Sequence, residues 1–331
     1  MIRLLAAFLF AALPAGLIAQ VATFDSSAEG WTNVTLLWPD PGNPPTELGP
    51  GLVQHFASGG NPGGYLQVTD PDGSQPTGHV QYWKAPATWL GDKSSLYGGV
   101  LRWDAKMFTS LVSFPHDDIL LTGNGTKIAF FANLTPGSAW ITIAAPLTVG
   151  SWRVGNRNGP LATQSQILSV LSSLQSIYLR AEFQNNLDTF GIDNAAFVPP
   201  ASTSPFGSGC GGGALPAPVL SVVTPPLLGG NYSLQCTTAL ASGVGIVIHG
   251  LTKFDPGIDL TGLGLTGCSL HATLDVLIAE PIVGGVMPHT FAIPNDPTWS
   301  DLRIYSQCIV FAPVNPFGAI LSGAIDARVG S

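Results

Sequence analysis

From Val100 to Met107 the chain alternates: Leu101, Trp103, Ala105 and Met107 fall at one parity, and Val100, Arg102, Asp104 and Lys106 at the other. That period of two marks a strand with one face buried. Apolar alternating or continuous runs recur at Trp31–Trp38, Tyr65–Thr69, Thr126–Leu134, Ser138–Leu147, Ser176–Phe183 and Ile192–Val198. They are punctuated by turn residues at Glu29-Gly30 and Asn61–Gly64 and by a Pro- and Gly-rich loop over Pro39–Gly51. The alternation assigns Trp31, Trp103 and Trp140 to a core. One segment has helical spacing: Ile167, Leu168, Leu171 and Leu174, opened by Thr163 with Gln166 three residues on, a capping-box signature. The spacing predicts a single short helix over Gln164–Leu174.

After Val198 the pattern lapses. Residues 199–217 are dominated by Pro, Ser and Gly with no apolar period, and read as a linker between domains. From Val219 onward, seven short apolar runs separated by turns predict a second antiparallel sandwich. One of them, Ser269–Ala279, alternates as a single strand with His271, Thr273 and Asp275 on the polar side. The fold class is therefore all-β, with two β-sandwich domains at 20–198 and 218–331 joined by 199–217.

Composition narrows the partners. Charged residues are 10% of 331, the formal charge is −8, and no basic run exists, which excludes nucleic acid and anionic membrane surfaces as partners. Residues 1–19 combine Arg3 with an apolar stretch and small Ala19, the signature of a signal peptide cleaved before Gln20, so a secreted or cell-envelope location is expected. No later segment is apolar for long enough to span a membrane. All four cysteines lie after residue 200. In an exported chain an even count suggests two disulfides, and four cysteines allow three pairings; the pairing adopted is Cys210–Cys268 with Cys236–Cys308.

The run Ala85–Lys106, APATWLGDKSSLYGGVLRWDAK, followed by DDILLTGNG at Asp117–Gly125, resembles the laminin B (laminin IV type A) domain. The resemblance extends from FDSSAEGW at Phe24 to DTFGIDNAAFV ending at Val198. It implies an extracellular jelly-roll sandwich related to carbohydrate-binding modules, with binding or adhesion rather than catalysis as its function. The partner would be a polysaccharide or an extracellular or envelope protein. Sandwiches of that type often hold a structural calcium where first and last strands meet, and Asp25 and Asp193, with Glu29 as a third ligand, occupy the matching places. In the second half, PFGSGC, GLTGCSL and IPNDPTWSDLRIYSQ resemble a recurring module of secreted bacterial proteins.

Seven of the eight tryptophans lie between Trp31 and Trp152. Exposed aromatic faces stack on sugars, while buried ones fill a sandwich core. Trp83, Trp89 and Tyr97 flank Pro or Gly in connections and are the candidates for a ligand platform. For catalysis the sequence offers no G-x-S-x-G elbow, H-E-x-x-H or P-loop lysine motif. A glycoside hydrolase needs only two placed carboxylates, and Asp104, Asp117, Asp118 and Glu182 are the residues to weigh for it. A structural envelope protein without glycan binding is the other alternative.

Overall fold

The structure is a computed structural model describing residues 20–331 apart from 39, 41, 71–77, 109–113 and 185–187. The leader expected over 1–19 lies outside the described residues. The first half runs β1 (Gln20–Ala22), β2 (Thr32–Leu37), β3 (Glu47–Gly51), β4 (Gln54–Phe56), β5 (Tyr65–Thr69), β6 (His79–Lys84) and β7 (Val100–Met107). It continues with β8 (Ile119–Gly123), β9 (Thr126–Phe130), β10 (Ile141–Pro146), β11 (Trp152–Val154), helix α1 (Gln164–Leu171), β12 (Leu174–Arg180) and β13 (Thr189–Val198).

These strands form two antiparallel sheets. The front sheet has the order β10-β7-β13-β5-β4, with β1 also on β13, and the back sheet the order β11-β9-β8-β12-β6-β2-β3. This is the all-β sandwich with one short helix that the alternation predicts, and the jelly roll that the resemblance implies. Leu101, Trp103, Ala105 and Met107 of β7 face inward, as do Leu66 and Val68 of β5 and Ile177 and Leu179 of β12. Trp31, Trp83, Trp103 and Trp152 are all fully buried in the core. The turn between β8 and β9 carries Asn124 and Gly125 at φ 46° and 68°, the backbone that Asn-Gly supplies in a two-residue hairpin.

The second half comprises β14 (Ser202–Phe206), β15 (Val219–Thr224), β16 (Asn231–Thr237), β17 (Ser242–Gly250), β18 (Lys253–Asp259), β19 (Ser269–Ala272), β20 (Val276–Val283), β21 (Val286–Ala292), β22 (Arg303–Phe311) and β23 (Ala319–Arg328). Eight of these make one antiparallel sheet in the order β14-β23-β22-β17-β20-β21-β16-β15, and β18 pairs with β19 separately. The sheet folds over on itself. Cys236 on β16 and Cys308 on β22 have three strands between them in that order, yet their Cα atoms are 6.8 Å apart and bridged. Cys210 is bridged to Cys268, so the expected pairing is the one that forms.

Two sequence expectations change here. The linker over 199–217 contains a strand of the second domain, Ser202–Phe206 (β14), paired along β23; its later part is tied down through Cys210, as an even cysteine count with Cys210 in a disulfide implies. Its Gly and Pro serve tight turns, such as the Gly212–Leu215 bridge. The run Ser269–Ala279 is not one strand. Thr273 Oγ1 and Asp275 Oδ2 both accept the Leu251 N–H, at 3.1 and 2.7 Å, and this side-chain cap breaks the ladder between β19 and β20.

Candidate functional site

The two outer faces of the first sandwich differ. On the back sheet, Val34, Leu36, Val80, Tyr82, Leu120, Ala129 and Tyr178 point away from the main core, yet all are buried. Trp38 and Phe114 pack over them. Beneath this cover lies a polar cluster. The Tyr82 hydroxyl donates to the Asp117 carbonyl (2.8 Å) and sits 2.8 Å from His116 Nδ1. Arg180 pairs with Asp118 at 3.3 Å, with both side chains buried. Lys127 Nζ donates to the carbonyls of Asp40 and Gly42, pinning that loop across the sheet. Burial pushes the Asp117 carboxyl up to about 6 and Glu182 up to about 8, and drives His116 down to about 3. Asp117, Asp118 and Glu182, weighed as catalytic carboxylates, are thus sealed in a closed interior.

The front sheet is covered only in part: Arg102 and Asp104 are buried, with Arg102 donating to Asn295 of the second half, while Phe56 and Phe108 remain partly exposed. On β7 the parity opposite the core continues through Arg102, Asp104 and Lys106 to Phe108, which follows the strand. Tyr65 on β5, Phe56 on β4 and Trp140 just before β10 share that face. Phe56 and Tyr65 stack at 5.0 Å with an interplanar angle of 11°, and Tyr65 and Phe108 at 5.8 Å with 24°. Trp140 meets Tyr65 edge-on at 5.5 Å. Lys106 Nζ lies 4.7 Å from the Phe108 ring centre and 5.5 Å from that of Trp140, positions that favour a cation over π density. Phe56 and Phe108 are 37% and 39% exposed.

Gly191 on β13 is the floor of this cluster. A Cβ there would come within 2.9 Å of Trp140 Cη2 and 3.3 Å of Phe108 Cε2. Polar groups ring the aromatics: the Tyr65 hydroxyl donates to Gln67 Oε1 at 3.3 Å, and the Thr69 and Thr189 hydroxyls are 3.0 Å apart. Tyr65 is buried between its neighbours, and the partly exposed rings of Phe56, Phe108 and Trp140, with hydrogen-bonding groups beside them, suit a ligand with one apolar and one polar surface.

The sequence candidates for the platform do not lie here. Trp83 is 1% exposed and meets Phe190 inside the core. Trp89 is 3% exposed, wedged between Trp31 at 4.9 Å and Phe197 at 5.6 Å. Its short turn, Ala87–Trp89, folds the indole inward at the edge of the sandwich. Tyr97 is half-buried against the same core. Trp140, assigned inward, is half-exposed and faces out. The signal was present: Trp140 shares parity with Thr142 and Ala144, while Ile143 and Ala145 fill the core. Phe108 likewise continues the polar parity of β7.

At the edge of the front face, Asp25 and Asp193 converge on the turn 59–64. Asp25 Oδ1 accepts the Gly64 N–H at 3.0 Å, and Asp193 accepts the N–H groups of Asn61 and Asn194 at 2.5 and 2.7 Å. Asp104 joins them through Asn61 Nδ2 and Asn194 Nδ2. Burial, with Asp104 and Asp25 nearby, pushes the Asp193 carboxyl up to about 7. A β-bulge between Asp193 and Ala196 turns Asp193 and Asn194 together toward this turn. Glu29 stands apart, its Oε1 accepting the Phe24 N–H at 2.7 Å.

Residues 82–200 match the family model for Laminin B (Domain IV). This segment is similar to laminin B domains. It carries Lys106, Phe108, Trp140 and Gly191 of the front face, while Phe56 and Tyr65 precede it. The chain is 27% identical over 191 residues to human laminin subunit alpha-3, covering 54% of this chain and 5% of that one. The chain thus spans about 5% of that relative's length. Among solved structures, the L4b domain of human laminin alpha-2 is similar with 16% identity and a TM-score of 0.33, over 40% of this chain and 78% of that one. A family 11 carbohydrate-binding module from Clostridium thermocellum, solved with a β-1,3-1,4-mixed-linked tetrasaccharide, is similar with 18% identity and a TM-score of 0.34, over 55% and 96%.

Proposed function

We propose that this is a secreted, non-catalytic binding protein whose laminin B-like segment, with the strands before it, takes polysaccharide on the front face. The observation that carries this reading is the near-parallel series Phe56, Tyr65 and Phe108 beside Trp140, its outer rings Phe56 and Phe108 partly exposed, the middle ring Tyr65 buried between them, and Gly191 behind. Among the described residues the sealed back sheet has no comparable surface. Sugar rings have an apolar face for the aromatics and hydroxyls for Gln67, Thr69, Thr189 and Lys106. The test is a glycan-array screen followed by affinity electrophoresis. Phe108→Ala and Trp140→Ala should each weaken binding by about threefold to tenfold, from stacking energies of about 0.5–1.5 kcal/mol, and leave the melting temperature nearly unchanged. Wild-type affinity in both variants would remove the front face as the site.

A structural calcium belongs to the same reading. The donors near the turn are hard oxygens, and the charges acting on Asp193 are the negative ones of Asp104 and Asp25. Among the described residues no three His, Cys, Asp or Glu side chains enclose an ion by themselves. Calcium would therefore be held by Asp25 and Asp193 with backbone carbonyls of the turn, and Glu29 would keep its bond to Phe24. Calcium should raise the melting temperature, and Asp193→Asn should abolish that increase.

A further inference from the structure

The core of the second domain ends in four packed rings. Tyr232 on β16, His249 on β17, and His289 and Phe291 on β21 lie against one another. Ring centres are 5.0 Å apart for the two histidines, 5.1 Å for His249 and Phe291, and 5.6 Å for Tyr232 and Phe291. Both imidazoles are buried, and each is anchored through one nitrogen. His289 Nδ1 lies 2.9 Å from Glu280 Oε1, and His249 Nδ1 lies 2.9 Å from Ser306 Oγ. In the neutral tautomer that donates Nδ1–H to the Glu280 carboxylate, His289 presents the lone pair of Nε2. Ser306 Oγ can accept from His249 in the same way.

The opposite nitrogens have nothing to do. Nε2 of His249 and Nε2 of His289 are both buried without a hydrogen-bond partner, and each such orphan carries a desolvation penalty. Two of them stand in one ring cluster, their ring centres 5.0 Å apart.

We propose that His249 and His289 bind one divalent transition-metal ion through their Nε2 atoms. Two imidazoles sharing an ion at about 2.0–2.1 Å have ring centres about 4.5–5.5 Å apart at angles between square-planar and tetrahedral, and the observed separation falls in that window. Imidazole donors suit zinc, copper and nickel. A ligating histidine whose other nitrogen is held by a carboxylate or hydroxyl is the arrangement that orients such ligands. Glu280, a quarter exposed, lies at the rim and marks the way in. Among the described residues no third His, Cys, Asp or Glu completes the set, so solvent would fill the other positions. The Tyr232 hydroxyl, close to Ser306 and without a partner in hydrogen-bonding geometry, forms part of the wall.

The experiment uses the full, oxidised chain after chelator treatment. Calorimetric titration with Zn²⁺ should give one equivalent bound, and Cu²⁺ should give an electron paramagnetic resonance signal split by two imidazole nitrogens. His249→Ala or His289→Ala should weaken binding at least about tenfold, and Glu280→Gln by about 10–100-fold, the usual effect of removing an anchor behind a ligand. No binding, undiminished binding in the double histidine variant, or a copper signal with fewer than two nitrogens would overturn the assignment. If the variants fail to fold, the wild-type copper signal still decides the matter.

Discussion

Side-chain parity tells the difference between a buried ring and a displayed one. In β7 the core residues and the outward residues are separated cleanly by period two, and Phe108 follows the outward set. Trp83 and Trp89 could not be placed by the same rule. Trp83 lies in β6, where both faces of the strand are covered, and Trp89 sits in an irregular turn with no parity at all. Gly191 is equally silent in sequence, since its meaning depends on two rings from other strands. Replacing it with Val should displace Trp140 and Phe108, cost about 1–3 kcal/mol through overpacking, and alter the near-ultraviolet circular dichroism. An unchanged aromatic spectrum would contradict its role as a floor.

The buried carboxylates make a separate prediction at this scale. Burial, aided by Asp70, pushes Asp188 up to about 7, and burial pushes Glu182 up to about 8, against about 4 in an unfolded chain. Between those limits the folded state binds more protons than the unfolded one. The stabilisation is complete below about pH 4 and lost as pH rises through 7 to 8. In chelator the melting temperature should fall from pH 5 to pH 8, and Asp188→Asn should flatten the slope. A steady rise over that range would show these groups ionised and paired in the native protein.

Among the elements, those with local chemistry of their own were legible. Thr163 caps α1 as its sequence predicts: Gln166 N–H donates to Thr163 Oγ1 at 3.3 Å, and Thr163 N–H donates to Gln166 Oε1 at 2.9 Å. Thr163→Ala should cost about 0.5–2 kcal/mol in denaturant unfolding; no loss would mean the helix is held by Ile167, Val170 and Leu171 alone. The far end was misjudged, because α1 stops at Leu171 and Leu174 already belongs to β12, where its backbone bonds with Gly91. Apolar spacing continues across that junction although the hydrogen bonding does not. The same failing hid the break between β19 and β20, where two polar side chains from one turn capture a backbone N–H that alternation alone would give to a ladder.

In the whole molecule, the two halves meet through specific bonds. Ser331 N–H donates to the Pro199 carbonyl at 2.9 Å, and Arg102 Nη1 donates to Asn295 Oδ1 at 2.8 Å. Composition marked 199–217 as a boundary but could not show that its first strand belongs to β23, since that pairing partner lies over 100 residues away. The bridges close loops of 58 and 72 residues, each worth about 4 kcal/mol in chain entropy. Reduction should therefore open the second domain first, with proteolysis appearing near Cys210 while the first sandwich, which has no cysteine, stays intact. Simultaneous loss of both halves would show that they unfold as one unit.

The turn 59–64 joins the aromatic cluster to the carboxylates at its edge. Trp140 Nε1 donates to the Gly59 carbonyl at 3.0 Å, and two residues on Asn61 N–H is held by Asp193. The outermost indole and the carboxylate pair therefore share a single hinge of backbone. Thermodynamic reciprocity then applies: an occupant that steadies the indole changes the affinity of the carboxylates for a proton or a cation by the same factor by which that ion changes the occupant's own affinity. The grip of the front face would be set partly by the hardness and acidity of the surrounding water.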